Sequence, residues 1–211
     1  MVQMMIKGII FDLDGTILNS KDLRIRAWKH AFEVYGVKLT NEEIAPLIGI
    51  PGVDLAGRFS PKAFEIEMEE EKYFKSHLEE MELFSDVYPT FGELEALGIR
   101  TSIVTSSRRA LMDILSLPFR PVVTVDDVEV GKPDPEPYVK ALKLMGVEPS
   151  SCMVVGDAET DLIPARTLGS VAVLIRHGSE KHSEYADYYV DEVSEVRDLV
   201  IRLNRAGKKK S

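Results

Sequence analysis

Short apolar runs alternate with helical segments along most of the chain. The runs are typical of strands that are buried on both faces of a parallel sheet. We predict these strands at residues 6–11, 99–105, 122–125, 152–155 and 171–175, with an edge strand at 188–190. Helical periodicity predicts helices at residues 93–97, 107–115, 136–145, 161–168 and 193–203. The alternation predicts an α/β fold built on a Rossmann-like, doubly wound parallel sheet.

Between the first strand and residue 88 the alternation stops, and the pattern becomes helical. Apolar side chains recur at spacings of three, four and seven over residues 22–35, and Gly36 ends that helix. Thr40 and Glu43 have the form of a capping box, which predicts the start of a second helix. We expect this second helix to end before Gly49.

The same helical pattern continues after a predicted turn at residues 50–52. Ser60 precedes Pro61, which predicts the start of a long helix that reaches about residue 82. The whole stretch contains no convincing strand, and a structureless connection of this length is uncommon in a compact domain. We therefore predict a helical domain at residues 19–88, inserted into an α/β core domain formed by residues 1–18 and 89–211.

Composition and charge narrow the classes of function. Hydrophobic residues make up 45% of the 211 residues and charged residues 29%, which is too apolar for a disordered chain. The net charge of -9 argues against a general nucleic-acid binder, because phosphate backbones are bound mainly by Lys and Arg. We interpret the one basic run, at residues 208–210, as a solvated and mobile tail.

The sequence shows no signal for a membrane or for secretion. No apolar run approaches the roughly 20 residues of a membrane span, and the amino terminus lacks the pattern of a secretion signal. We therefore expect a cytoplasmic protein that has no membrane partner. Cys152 is the single cysteine, which excludes an intramolecular disulfide, and its place in a predicted strand indicates a buried thiol.

Polar side chains follow four of the predicted strands at the point where each strand ends. Because the carboxyl ends of parallel strands lie on one edge of a sheet, residues far apart in sequence can share a crevice there. The set comprises Asp12 and Asp14 after the first strand, Thr105 and Ser106 after the second, Lys132 after the third, and Asp157 and Asp161 after the fourth. This spacing predicts one site.

The residue types in this set predict phosphoryl transfer. Several carboxylates in one crevice repel one another unless a cation compensates them, which favours a divalent metal with oxygen ligands, and Mg²⁺ fits best. Lys132 adds a positive charge, while Thr105 and the amides near Ser106 can donate hydrogen bonds to phosphoryl oxygens. An aspartate in this setting can attack phosphorus, and a second carboxylate two residues on can move the leaving group's proton and then activate water.

Each member of the set also has an ordinary structural interpretation. The two carboxylates after the first strand can form an Asp-Gly turn, and Thr105 can cap a helix. Lys132 can be a solvated loop residue, and Asp157 can belong to a turn. Their joint order at successive strand ends is what favours a site.

Four motifs carry a resemblance to a known family. They are Phe-Asp-Leu-Asp-Gly-Thr at 11–16, Ile-Val-Thr at 103–105, Gly-Lys-Pro-Asp-Pro at 131–135 and Val-Gly-Asp-Ala-Glu-Thr-Asp at 155–161. The sequence resembles the haloacid dehalogenase superfamily, in the branch of phosphoglycolate-phosphatase-like and β-phosphoglucomutase-like enzymes with a helical cap. The match spans nearly the whole chain.

The resemblance implies roles for the four acidic residues. Asp12 would be the nucleophile and a metal ligand. Asp14 would act as acid and base, while its main-chain carbonyl binds Mg²⁺. Asp157 would complete the metal site, and Asp161 would lie next to the metal ligands and support them.

The resemblance also implies which residues contact the substrate. Thr105, Ser106 and Lys132 would bind the phosphoryl group. Substrate choice would depend on cap residues that face the crevice. The candidates are Arg24, Trp28 and the loop at residues 48–52, which contains Gly49.

The resemblance implies a Mg²⁺-dependent phosphatase that is similar to phosphoglycolate phosphatases. Such an enzyme would hydrolyse a small phosphorylated metabolite through an aspartyl-phosphate. We expect it to be a monomer or a weak homodimer. A phosphosugar mutase is an alternative, but the similar mutases carry His and Arg where this chain has Arg24 and Gly52. A second alternative is a phospho-accepting signalling module. Such modules also gather acidic residues, Thr and Lys at a sheet edge, but they lack a helical insertion.

Overall fold

A computed structural model describes residues 5–208 of the chain. Its strands are β1 (Gly8–Phe11), β2 (Leu18–Asn19), β3 (Glu82–Leu83), β4 (Arg100–Val104), β5 (Val122–Val123), β6 (Cys152–Gly156), β7 (Val171–Ile175) and β8 (Tyr188–Val190). Its helices are α1 (Lys21–Val34), α2 (Asn41–Ile44), α3 (Gly52–Gly57), α4 (Ala63–Lys75), α5 (Val87–Ala96), α6 (Arg109–Leu115), α7 (Glu136–Met145), α8 (Glu159–Leu168) and α9 (Ser194–Lys208). The basic run at 208–210 lies outside the described residues apart from the end of α9.

A six-stranded parallel sheet forms the core, in the order β5-β4-β1-β6-β7-β8. The chain leaves β1 toward β4 and β5 on one side, and then returns to build β6, β7 and β8 on the other. The strand order therefore reverses beside β1, and ligands of such sheets bind at the carboxyl ends near that reversal. The predicted α/β fold with a doubly wound parallel sheet is confirmed.

Side chains of the sheet alternate between two hydrophobic clusters. Ile9 and Phe11 point into a cluster that includes residues of α5 and α9, whereas Ile10 points into one that includes residues of α7 and α8. All four residues of β1 are buried, as expected of a central strand with helices on both faces. Because both faces of β1 are buried, its register is fixed, and with it the position of the carboxylates that follow.

The helices α1 to α4 have a hydrophobic cluster of their own. Trp28, Phe32, Leu55 and Ile66 pack together there, and α4 lies against both α1 and α3. The predicted capping box of α2 is present, with Thr40 and Glu43 bonding to each other's main-chain amides. The boundaries 19–88 for an inserted domain remain a prediction.

Two predictions about the end of this helical stretch are wrong. The long helix α4 begins at Ala63, without a side-chain cap, because the Ser60 hydroxyl accepts a hydrogen bond from the amide of Lys62 within a preceding turn. It ends at Lys75 and not near residue 82. A short 3-10 helix at Leu78–Glu80 follows, and then β3, which pairs antiparallel with β2. Strands of two residues are too short to leave a periodic signal.

The helix predicted at residues 93–97 is also longer than expected. It begins at Val87, with Pro89 in its first turn, where proline removes no intrahelical hydrogen bond. The strands predicted at 6–11 and 99–105 are shorter in the structure, where they span Gly8–Phe11 and Arg100–Val104. None of the helices formed by the described residues combines the length and the apolar character needed to cross a membrane.

Candidate active site

The end of β1 places Asp12 in a buried position between two neighbouring strands. Its amide donates a hydrogen bond to the carbonyl of Val155, which continues the pairing of β1 with β6. One carboxylate oxygen of Asp12 accepts a hydrogen bond from Lys132 at 2.6 Å, and the other accepts one from the Thr16 hydroxyl at 3.0 Å. Asp12 is therefore held from both sides at the bottom of the crevice.

Lys132 joins two of the predicted site carboxylates. Its ammonium group is 2.6 Å from Asp12 and 2.7 Å from Asp161, and the residue is only 2% exposed. The Tyr138 hydroxyl also donates to Asp161, at 2.7 Å. Burial lowers the pKa of Lys132, but the two carboxylates more than offset it, so the pKa lies above its usual range. Lys132 is consequently a permanent cation inside the site.

The surroundings of Asp12 oppose its ionisation. Burial raises its pKa from an ordinary value of 3.8 to about 8, against the attraction of Lys132. Asp161 and Asp157 raise the pKa of Asp12 further, because their negative charges lie nearby. The site therefore holds more buried negative charge than Lys132 alone can compensate.

Asp157 is ion-paired with two lysines from outside the predicted set. Lys21 of α1 lies 2.8 Å from its carboxylate, and Lys181, in the segment between β7 and β8, lies 2.9 Å away. Burial favours a raised pKa for Asp157, but the two ammonium groups outweigh it and lower the pKa. A negative charge is thus maintained at Asp157.

Three carboxylates are close enough to share one cation. Oxygen atoms of Asp12, Asp157 and Asp161 all lie within 4.8 Å of one another. A set of ligands made up entirely of carboxylate oxygens fits a hard divalent ion such as Mg²⁺. Two glycines make room for this arrangement: a Cβ at Gly156 would lie 2.4 Å from the Asp161 carboxylate, and one at Gly15 would lie 3.0 Å from that of Asp157.

The carboxylate of Asp14 does not join this trio. It accepts hydrogen bonds from Ser20 at 2.6 Å, from Arg24 at 3.1 Å and from Ser107 at 3.1 Å. Burial would raise the pKa of Asp14, but Arg24 and these hydrogen bonds outweigh burial and lower it. Asp14 is therefore ionised and faces the helical insertion.

Arg24 lies between the core and the helical insertion. Besides Asp14 it pairs with Glu70 of α4 at 3.0 Å, and its guanidinium lies 3.6 Å from the centre of the Phe74 ring. The Arg24 guanidinium is thus already in contact with two carboxylates and an aromatic ring. The expectation that Arg24 binds substrate stays a prediction.

Thr105 and Ser106 follow β4 and line the same cavity as Asp12 and Asp14. The Thr105 hydroxyl accepts a hydrogen bond from the Ser107 amide at 3.1 Å. The Ser106 hydroxyl donates to the carbonyl of Gly49 at 2.7 Å. Gly49 has a φ of 111°, a conformation that favours glycine, and a Cβ there would lie 2.9 Å from the Thr160 hydroxyl.

A cavity of about 60 Å³ lies between the strand ends and the insertion. Asp12 and Thr105 form its floor, and the loop around Gly49 together with residues of α1 and α4 forms its roof. The predicted site residues therefore fall into two groups around it. Asp12, Lys132, Asp157 and Asp161 meet in a charged cluster, while Asp14, Arg24, Thr105, Ser106 and Gly49 line the cavity beside it.

Sequence reasoning missed several polar residues of this site. Lys21 and Lys181 donate hydrogen bonds to the carboxylate of Asp157. Tyr138 donates a hydrogen bond to Asp161, and Glu70 accepts one from Arg24. Lys181 lies beyond the carboxyl end of β7, so extending the strand-end argument to that strand would have pointed to its neighbourhood. The other three lie inside helices whose apolar spacing gives no sign of a polar contact.

Comparisons with known proteins show which family the sequence is similar to. Residues 9–175 match the haloacid dehalogenase-like hydrolase family. The pyrophosphatase PpaX of Bacillus cereus strain AH820 is 30% identical over 96% of this chain and 100% of its own. The pyrophosphatase PpaX of Bacillus mycoides strain KBAB4 is 31% identical over 95% of this chain and 100% of its own.

Solved structures show the same fold. A hydrolase from Pseudomonas syringae superposes with a TM-score of 0.83 at 25% identity, covering 92% of this chain and 97% of its own. CbbY from Rhodobacter sphaeroides, solved in complex with phosphate, superposes with a TM-score of 0.76 at 24% identity, covering 91% and 96%. The motifs, the sheet and the family match together show that this chain belongs to the haloacid dehalogenase-like hydrolases.

Proposed function

We propose that the chain is a Mg²⁺-dependent phosphatase that hydrolyses a small-molecule phosphomonoester through an aspartyl-phosphate. The observation that carries this proposal is the cluster at the sheet edge, where Asp12 contacts Lys132 and lies within 4.8 Å of Asp157 and Asp161. A phosphoryl group brings negative charge, and a lysine beside a metal-binding carboxylate set suits its transfer. The phosphatase names of the relatives support the same class of substrate.

Asp12 attacks phosphorus in the first step. A bond forms between its carboxylate oxygen and phosphorus, and the bond from phosphorus to the ester oxygen breaks. Asp14, after it leaves its contact with Arg24 and takes up a proton from solvent, gives that proton to the departing oxygen. Lys132 keeps Asp12 oriented and offsets the negative charge of the phosphoryl group.

Water releases the phosphoryl group in the second step. Asp14 takes a proton from the water, whose oxygen attacks phosphorus, and Asp12 is regenerated as a carboxylate. Because Arg24 holds Asp14 ionised, Asp14 has to loosen its contact with Arg24 before it carries a proton. Residues 19–88, which supply Arg24, are therefore proposed as a cap whose position controls this step.

Four residues would hold the metal. These are Asp12, Asp157 and Asp161 through carboxylates, and Asp14 through its main-chain carbonyl. Mg²⁺, when bound, neutralises phosphoryl oxygens and so makes attack by an anionic carboxylate possible. Lys21 and Lys181 neutralise part of the same charge, and their ammonium groups are expected to shift away from Asp157 when the metal is present.

The test is the release of inorganic phosphate from p-nitrophenyl phosphate. We expect steady turnover with Mg²⁺, none after chelation, and a loss of at least about a thousandfold in Asp12→Asn. Asp113→Asn, which changes an exposed carboxylate on α6, is the matched control and should keep the parent rate. Residual activity of Asp12→Asn within about tenfold of the parent would contradict the role of Asp12.

This assay, together with a separate assay for bisphosphate formation from a sugar monophosphate, separates the alternative functions. A phospho-accepting signalling module would release at most one phosphate per chain, and a mutase would form glucose 1,6-bisphosphate from its monophosphate substrate. We expect many phosphates per chain and no bisphosphate.

A further inference from the structure

The roof of the cavity is acidic. Glu67, Glu70 and Glu71 of α4 line it from one face of the helix, because residues three and four apart point the same way. Each is buried, and Glu70 is only 2% exposed. The leaving group of any phosphate ester bound at Asp12 would have to enter this part of the cavity.

The two arginines of the cavity wall are already paired. Arg24 contacts Asp14 at 3.1 Å and Glu70 at 3.0 Å. Arg108 pairs with Glu67 and lies 3.1 Å from Glu71. The lining therefore holds five carboxylates, Asp12 included, against two guanidinium groups. Asp12 is paired with Lys132, and Glu71 is also paired with Lys75 at 2.8 Å. The three remaining carboxylates, Asp14, Glu67 and Glu70, still outnumber the two guanidinium groups, so the region has a negative net charge when these carboxylates are ionised.

The pKa values of the roof glutamates are governed mainly by their burial. Burial raises the pKa of Glu70 to about 7, although Arg24 opposes the shift. Burial also raises the pKa of Glu67, and the neighbouring charge of Glu71 adds to the effect. A further anion in this region would be opposed in the same way, by burial and by the neighbouring carboxylates.

Apolar side chains share the cavity with these charges. Trp28, Ile48, Leu55 and Leu111 line it between the acidic roof and the floor. They can contact a short carbon skeleton, while the glutamates accept hydrogen bonds from donors on it.

We propose that the substrate is a phosphate monoester whose small leaving group has no negative charge and presents hydroxyl or ammonium donors to Glu67, Glu70 and Glu71. This inference rests on the proposed phosphatase function and narrows it. The proposal disfavours pyrophosphate as the substrate of this chain, although the Bacillus relatives are named pyrophosphatases, because the leaving group of pyrophosphate is an anion. It also disfavours phosphoglycolate, because its leaving group, glycolate, carries a carboxylate.

The test uses three esters of nearly equal size that differ in charge. They are phosphoethanolamine, 2-hydroxyethyl phosphate and phosphoglycolate, with cationic, neutral and anionic leaving groups. We expect kcat/KM for phosphoglycolate and for pyrophosphate to be at least about tenfold below that of the better of the other two esters. A kcat/KM for phosphoglycolate or pyrophosphate equal to or above both others would overturn the proposal.

A charge-removing variant links the preference to the roof. In Glu67→Gln we expect the ratio of kcat/KM for phosphoglycolate to that for 2-hydroxyethyl phosphate to rise about fivefold to tenfold. Glu65→Gln, on the exposed face of the same helix, should leave this ratio unchanged. Because both substrates are measured on one preparation, partial misfolding of a variant cancels in the ratio. An unchanged ratio in Glu67→Gln would contradict the role of the roof.

The assay with p-nitrophenyl phosphate distinguishes failure of the proposed phosphatase function from failure of the proposed charge preference. If that ester is hydrolysed but phosphoglycolate is preferred among the three, the phosphatase function stands and the charge preference fails. If no ester is hydrolysed with Mg²⁺, both fail together.

Discussion

At the scale of single residues, the chemistry of this protein depends on how buried charges compensate one another. Asp12 lies at the end of a central strand, where it has little access to water and one lysine as a counterion. Asp157 has two lysines and Asp14 has an arginine. The pKa values of Asp14 and Asp157 are therefore lowered, whereas that of Asp12 is raised. Asp12 is the carboxylate with most to gain from a metal ion.

A pH dependence of stability follows from Asp12. Its pKa is raised from 3.8 to about 8, so the folded chain holds a proton that the unfolded chain releases. Asp12 thus contributes stability that is fully present below pH 3.8 and is lost as the pH rises through about 8. Without metal, we expect Asp12→Asn, which cannot ionise, to lose less stability between pH 6 and 9 than the parent. Thermal unfolding in chelator measures this, and equal slopes would contradict the assignment.

At the scale of elements, two loops of the core meet the loop between α2 and α3. Ser106 bonds to Gly49, and Gly131 lies so close to Pro51 that an added Cβ would come within 2.5 Å of its ring. These contacts come from residues that the hydrophobic pattern assigns to turns. They position the roof of the cavity over the carboxyl ends of the strands.

The contact between Gly131 and Pro51 gives a prediction for this interface. A methyl group in Gly131→Ala should push the loop outward and lower kcat/KM by about tenfold, because the cavity then admits water. Adding Pro51→Ala removes the clashing ring atom and should restore most of the activity. Gly92→Ala, in an open position on α5, is the matched control. If the double variant is as impaired as Gly131→Ala, the effect comes from the adjacent Lys132 and not from the interface.

At the scale of the whole molecule, the sheet brings together residues that are separated by more than a hundred positions in the sequence. Lys132 and Asp12 are 120 residues apart and yet share a hydrogen bond. Their meeting could be predicted because apolar runs locate strand ends and parallel topology places those ends on one edge. The motifs then identified the family, which the comparisons confirm.

The remaining features depend on interactions that no local pattern records. Strands β2 and β3 are two residues long, and they exist only because they pair with each other across the insertion. Ser60 has the sequence of a helix cap but bonds within a turn instead. The contact of Lys181 with Asp157 depends on the path of a loop, and that of Arg24 with Glu70 on the packing of α1 against α4.

The binding of metal should stabilise the whole fold. A ligand that binds only the folded state adds about 2.7 kcal/mol at a hundred times its Kd, which raises the Tm of a chain of this size by roughly 5–10 °C. We expect this rise with Mg²⁺ and most of it to disappear in Asp157→Asn, while Asp113→Asn keeps it. A rise of equal size in Asp157→Asn would place the metal elsewhere.

The most direct test of the central claim is the detection of a phosphoryl group on Asp12. The enzyme is mixed with substrate and Mg²⁺, quenched in acid during turnover, digested, and its peptides are analysed by mass spectrometry. We predict the added mass of one phosphoryl group on the peptide that contains Asp12, and its absence in Asp12→Asn. Turnover of the parent enzyme without that adduct, or with the phosphoryl group on another residue, would contradict the account.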